Sequence, residues 1–432
     1  MAARASRRAW WVFAAAGAAY FMAIMHRTAL GVAGVDALER FDIGATGLAA
    51  LSMTQIAAYA VLQVPAGRLL DTFGPRAVMV GGSLLMAVGQ VLMATTHSFT
   101  WALVARVLIG AGDAPIFISA SRLVAQWFPP RRAPQMVQFT AQIGQAGQLA
   151  TAIPVAWMLH SQGWSATFLV IASMGALAAV AVSGVRAPGP ADAESMPAPT
   201  AGGSRHTISR AGVRLGFWTH FTALFSANTV ALLWGVPFFI TAQGRSVAEA
   251  SLLLTVLTLS KFVVSPFVGT ATARHPMRRS WLVLMFACVT AVAWTLLLIP
   301  STPRPLWQLV LFVMAIAAGG PVSLVGLDYA RTFANHERLG TANGMVNTGG
   351  FVSTIMAVGL VGAVLQLASP DGDYGLNAYR VAFAALAIPW VVGVTGILRN
   401  RAKARADLAA DGVMVLPLRE ALERRRLRRN GD

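Results

Sequence analysis

Gly67-Arg68-Leu69-Leu70-Asp71-Thr72-Phe73-Gly74-Pro75-Arg76 is a short polar turn set between two apolar runs, 47–67 before it and 77–96 after it. Each run is near the roughly 20 residues that carry a helix across a bilayer. The turn combines glycines, which adopt backbone conformations other residues resist, with an acid that can accept from arginine side chains or sit at a positive helix N-terminus. Further apolar runs follow the same pattern, at 10–33, 100–121, 136–159, 166–185, 213–240, 250–270, 280–300, 306–328, 343–367 and 378–398. The chain reads as an all-α membrane protein with twelve transmembrane helices.

Composition agrees: 56% of the 432 residues are hydrophobic and 12% charged. A net charge of +17 would suggest nucleic acid in a soluble protein, but the placement of the charge removes that suggestion. Arg40, Arg245, Arg304 and Arg380 fall in outer loops and Arg27, Arg106 and Lys261 within spans; all other basic residues lie in inner loops and tails. This positive-inside asymmetry predicts cytoplasmic termini. The first span, after Arg4, Arg7 and Arg8, is too long for a cleaved signal and reads as a retained helix. The single cysteine, Cys288, allows neither a disulfide framework nor a thiolate metal cluster.

Residues 186–212 lack an apolar run and are rich in Pro, Ala, Gly and Ser, as in a linker. The linker divides the chain into a six-helix bundle over 1–185 and another over 213–398, followed by a basic tail, 399–432. Short matches suggest that the halves are duplicates. Tyr59-Ala-Val-Leu-Gln-Val-Pro-Ala-Gly67 parallels Lys261-Phe-Val-Val-Ser-Pro-Phe-Val-Gly269, Arg122 parallels Arg331, and Met136-Val137-Gln138 parallels Met345-Val346-Asn347. The tail ends in Arg424-Arg425-Arg426-Leu427-Arg428-Arg429, suited to anionic headgroups or simply to fixing topology.

Four charges lie inside apolar runs: Arg27, Arg106, Asp113 and Lys261. A charge in hydrocarbon costs roughly 3 kcal/mol on insertion scales, so such residues face a partner or a watery cavity. Three are positive and one negative, an excess that a transported anion would balance. Arg106 and Asp113 are seven residues apart, on nearly one helix face but roughly 10 Å distant, so each needs a partner elsewhere. A static internal network is the competing role for this pair. Asp113 is a candidate proton carrier, because a carboxyl taken out of water can hold a proton near neutral pH. Tyr20 and Arg27 also share a face, with His26 turned about 100° away. Gln135, Gln138, Gln142, Gln145 and Gln148 form one polar stripe that should face a water-filled path or the other half, binding hydroxyls or bonding helix to helix. Asn343 and Asn347 form a similar pair in the eleventh run. Lys261, mid-span, is poorly placed to snorkel and should face a cavity.

The turn at 67–76 resembles the signature of the major facilitator superfamily, Gly, x, Leu, small residue, Asp, basic, x, Gly, x, basic, with departures at Leu70 and Thr72. Arg106-Val-Leu-Ile-Gly110-Ala-Gly112-Asp113 is similar to the family's fourth-helix pattern. The resemblance implies two pseudo-symmetric six-helix bundles that alternate in access, with Gly67, Asp71, Gly74 and Arg76 as a gate. Arg122, its counterpart Arg331, and Asp328 join these as gating candidates. A narrower resemblance is to the anion:cation symporters of the superfamily. It implies that Arg27 holds the substrate carboxylate, that Tyr59 with Gln63, Pro65 and Gly67 is their second helix, and that Asp113 carries the proton. His26 stands where those symporters have an acid, either titrating or packed and neutral.

Proton-coupled symport of a small organic anion is the function these features imply. Arg27, Tyr20, Tyr59, Arg106, Gln142, Gln145, Lys261 and Asn347 are the substrate-binding candidates, and Asp113 with His26 the proton-coupling ones. No catalytic residue, metal or cofactor is expected, and the proton gradient is the driving force. No phosphate-loop, zinc-protease or serine-hydrolase motif is present, which argues against an ATP-driven pump or an enzyme. A proton-driven drug or metabolite exporter, a nitrate-type exchanger and a transporter-like receptor remain alternatives. The expected setting is a bacterial plasma membrane, as a multi-pass monomer in contact with lipid, with no nucleic-acid partner.

Overall fold

Gly74 and Gly163, with φ of 78° and 76°, turn long helical stretches back on themselves in a conformation that residues with a Cβ rarely adopt. The computed structural model describes residues 6–43, 45–185, 204–369 and 374–410. The first half contains α1 (Arg7–Val32), α2 (45–73), α3 (75–95), α4 (Phe99–Trp127), α5 (133–162) and α6 (164–183). The second contains α7 (Ala211–Ala242), α8 (Val247–Arg274), α9 (Arg279–Leu298), α10 (Leu306–Phe333), α11 (Leu339–Ala368) and α12 (Leu376–Ala410). Proline widens two of them: π-helical turns surround Pro154 in α5 and flank Gly235–Pro237 in α7.

Ten helices among the described residues are long and apolar enough to cross a membrane. One of these, Ala50–Thr95, covers α3 and most of α2. α5 is absent from the ten because its glutamines lower its hydropathy, and with it the spans number the twelve expected. Most of the 186–212 stretch lies outside the described residues, but Ser204–Ser209 is a short helix and α7 begins at Ala211. α12 continues to Ala410, so 399–410, the start of the basic tail, is helical; the arginine cluster at 424–429 lies outside the described residues. An even number of spans puts the start of α1, the end of α12 and the 67–76 turn at the same end of the molecule, called the basic end below.

Trp11, Trp157, Phe267 and Leu367 point outward, as suits a lipid-facing surface. Inside each bundle small residues let backbones approach: a Cβ on Gly82 or Gly112 would come within 2.5 or 2.4 Å of the other's carbonyl oxygen. Apolar cores fill each half, one around Met86, Ile109 and Ile116, another around Phe225, Phe238 and Tyr379. The halves meet through Phe117, Val213, Leu327 and Val346, and through Tyr59, Leu70 and Ile118 against Phe351.

Positions matched by the internal repeat make matched contacts. Gly67 of α2 lies against α11, where a Cβ would come 2.4 Å from Gly340 O, and Gly269 of α8 lies against α5 at Gln135. Asn347 donates to Gln63 Oε1 at 2.8 Å; at the equivalent crossing Ser265 donates to Gln138 Oε1 at 3.0 Å. Two crossings, α2 with α11 and α8 with α5, thus hold the halves together.

Candidate substrate site and gate

A cavity of about 170 Å³ lies between the halves. Tyr20, Arg27, Tyr59, Gln138, Gln142 and Gln145 line it from the first half, and Asn228, Lys261, Ser265 and Asn347 from the second. Seven of the eight substrate-binding candidates therefore share one space. Arg106 does not: it is 2% exposed inside the first half, its Nε donating to Leu51 O of α2 at 3.3 Å.

Arg27 and Asp113 form a bidentate ion pair between α1 and α4, Nε to Oδ2 at 2.7 Å and Nη2 to Oδ1 at 3.0 Å. Asp113 is 1% exposed and Arg27 23%, so the pair's open side is the arginine, toward the cavity. Two parallel charge-assisted hydrogen bonds offset the desolvation that burial imposes on both groups. The Arg27 guanidinium also lies over the Tyr59 ring, 4.5 Å from its centroid. Partners that one helix alone could not supply to Asp113 thus come from α1. His26 is fully buried on the far side of α1, its ring against Gly175 of α6, and does not line the cavity.

Towards the basic end the cavity is closed by amides. Asn347 Nδ2 donates to Tyr59 Oη at 3.0 Å as well as to Gln63. Gln138 donates to Pro321 O at 2.8 Å, Gln142 to Phe262 O at 2.8 Å and Gln135 to Thr270 Oγ1 at 3.0 Å, all across the halves. The glutamine stripe of α5 therefore faces α8 and α10, with Gln145 left on the cavity wall. Tyr20 packs against Phe117, ring centroids 4.9 Å apart. Lys261 makes no hydrogen bond or ion pair among the described residues, and its methylenes lie along Gly320.

Beyond these amides lie the gating candidates. Asp71 accepts from Arg122 Nη1 at 2.8 Å within its own half. Across the interface it accepts from the backbone N–H of Gly340 at 2.7 Å and of Thr341 at 2.8 Å, and from Thr341 Oγ1 at 2.5 Å. These amides belong to the first turn of α11, where N–H groups lack helical partners and the helix dipole favours a negative charge. In the second half Asp328 pairs with Arg331 and, at 2.6 Å, with Arg279, while Arg331 Nη1 reaches Pro130 O of the first half at 3.2 Å. Gly74 makes the turn, and Arg76 is exposed with no hydrogen bond or ion pair among the described residues. Gly340, Thr341 and Arg279 escaped the sequence reading. The first two precede the apolar run that marked α11, and Arg279 heads α9 as one more inner basic residue.

A family model for the Major Facilitator Superfamily matches residues 16–358 and 216–430. The chain is 21% identical over 394 residues to the hexuronate transporter of Bacillus subtilis (strain 168), covering 84% of this chain and 90% of that protein. It is 27% identical over 164 residues to the probable L-galactonate transporter of Escherichia coli (strain K12), 37% of this chain and 36% of that one. The stretches shared with this and another Escherichia coli relative cover about a third of those proteins. Among solved structures, the transporter FucP in the outward conformation gives a TM-score of 0.68 at 15% identity, over 90% of this chain and 99% of that one. A bacterial homologue of ferroportin in an outward-facing state gives 0.71 at 12%, over 89% and 99%. A model match over most of the sequence, a twelve-span fold in two halves and a cross-half hydrogen-bond cluster on the 67–76 turn lead to one assignment: the chain belongs to the major facilitator superfamily of membrane transporters.

Proposed function

We propose that this protein is a secondary active transporter that moves a small hydroxylated organic anion together with a proton, by alternating access. The observation that carries the proposal is the bidentate Arg27–Asp113 pair at the cavity wall. A substrate carboxylate and the Asp113 carboxylate compete for the same guanidinium. Protonation of Asp113 weakens its hold on Arg27 and releases the fork of donors to the incoming anion, so anion and proton are taken up together. Tyr20, Tyr59, Gln142, Gln145 and Asn347 supply donors and acceptors for hydroxyls around the same space. The names of relatives, transporters of hexuronate and L-galactonate, favour sugar acids as the substrate class.

The excess of basic residues in one set of loops supports cytoplasmic termini in a bacterial cell, and with them a cytoplasmic gate at Asp71. The cross-half hydrogen bonds from Gln142 down to Asp71 then close the cytoplasmic side, and the substrate enters from outside. Uptake into proteoliposomes tests the proposal. A panel of sugar acids, aromatic acids, dicarboxylates and nitrate is offered with and without an inward proton gradient. Accumulation of an organic acid that depends on the gradient is expected. Transport of neutral or cationic compounds with no acid accumulating defeats the proposal.

A further inference from the structure

Arg27 has a protein counter-charge, and among the described residues Lys261 has none. No Asp or Glu lines the cavity among the described residues, and Asp113 is committed to Arg27 from behind. The internal repeat explains why Lys261 is left unpaired. Its counterpart in the first half is Tyr59, a neutral hydroxyl held by Asn347. The counterpart of Asn347 is Gln138, but its amide is already used, donating to Pro321 O and accepting from Ser265. Lys261 therefore stands in the cavity as a cation whose symmetry-related partner is occupied, its stem lying along Gly320 of α10. A lone ammonium at mid-span, half-buried between the two halves, is costly, and a ligand that brings the missing negative charge lowers that cost.

Resting on the anion symport proposed above, we infer that the substrate is a dianion: a hydroxylated chain with an acid group at each end, one held by Arg27 and the other by Lys261. With Asp113 protonated, the cavity presents two positive charges from opposite halves, and a dianion balances both. Bridging the halves through its two ends, such a ligand also favours the state in which both are close to it, which a monoacid held by Arg27 alone does less well.

The test compares a six-carbon aldarate with the aldonate of the same stereochemistry, binding each to the purified full-length protein by calorimetry. The aldarate is expected to bind about tenfold or more tightly, the gain of one further charge-assisted contact. Lys261→Gln should erase that preference, weakening aldarate by about tenfold while aldonate changes by less than about threefold. Lys261→Arg should keep it, which separates lost charge from lost folding. Equal affinity for the two acids in the wild-type protein, or equal weakening of both by Lys261→Gln, overturns the dianion assignment and leaves anion symport standing. Binding of neither acid, alongside binding of a neutral alditol, overturns both.

Discussion

Arg27 and Asp113 are 86 positions apart, and in the proposed symport their pairing is what couples the anion to the proton. Asp113→Asn keeps the shape of the side chain but removes the exchangeable proton. It should abolish gradient-driven accumulation in proteoliposomes while leaving counterflow exchange of labelled for unlabelled substrate. Arg27→Ala should reduce substrate binding at least about a hundredfold by calorimetry, and Arg27→Lys should recover little of it, since a lysine cannot form the two-pronged contact. Because Arg27 keeps contact with the cavity, its uncompensated charge in Asp113→Asn should cost less than the roughly 3–5 kcal/mol of a fully buried broken pair. At this scale the sequence identified Arg27, Asp113 and Lys261 as charges out of place, yet not who faces whom. Spacing along α4 put Arg106 and Asp113 on one face, but spacing does not say which helix packs there. α2 packs over Arg106 at Leu51, and α1 meets Asp113.

The proposed gate is built from helix ends. Asp71 caps the first turn of α11 from the other half, so opening at that end must break hydrogen bonds to a charged acceptor. Such bonds contribute roughly 1.5–3 kcal/mol each. Asp71→Asn should therefore shift the protein measurably toward the state open at the basic end. A single cysteine placed near Gln138, in a Cys288→Ser background, should become more reactive to a membrane-impermeant thiol reagent applied from that side. Gly67→Val should act in the same direction and more strongly, since a Cβ there would come 2.4 Å from Gly340 O and α2 could not seat on α11. Unchanged reactivity in both variants would mean that this crossing does not set the closed state. The 67–76 turn was legible because glycine and aspartate at fixed spacing carry their own backbone logic. Its receptor was not: Gly340 and Thr341 become special only through the approach of α2. α5 shows the converse, a span whose glutamines hide it from hydropathy and whose stripe nonetheless announces a buried face.

Across the whole molecule, two six-helix bundles cross at α2–α11 and α8–α5, and the cavity sits above those crossings with polar groups from both sides. Twelve runs and a central break made this architecture readable from the chain, because length and hydropathy determine most spans and the glutamine stripe marks the remaining one. The cavity's content was less readable, since His26 and Arg106 carry the same surprise as Arg27 but point into the first bundle. The proposed symport has one consequence for the intact transporter: anion and proton should cross together or not at all. Reconstituted protein with a lumenal pH indicator and a labelled sugar acid measures both at once. Joint entry is predicted, with acidification of the lumen that begins only when the acid is added and is lost in Asp113→Asn. Accumulation of the acid with no accompanying proton entry, unaffected by collapse of the gradient, would contradict it.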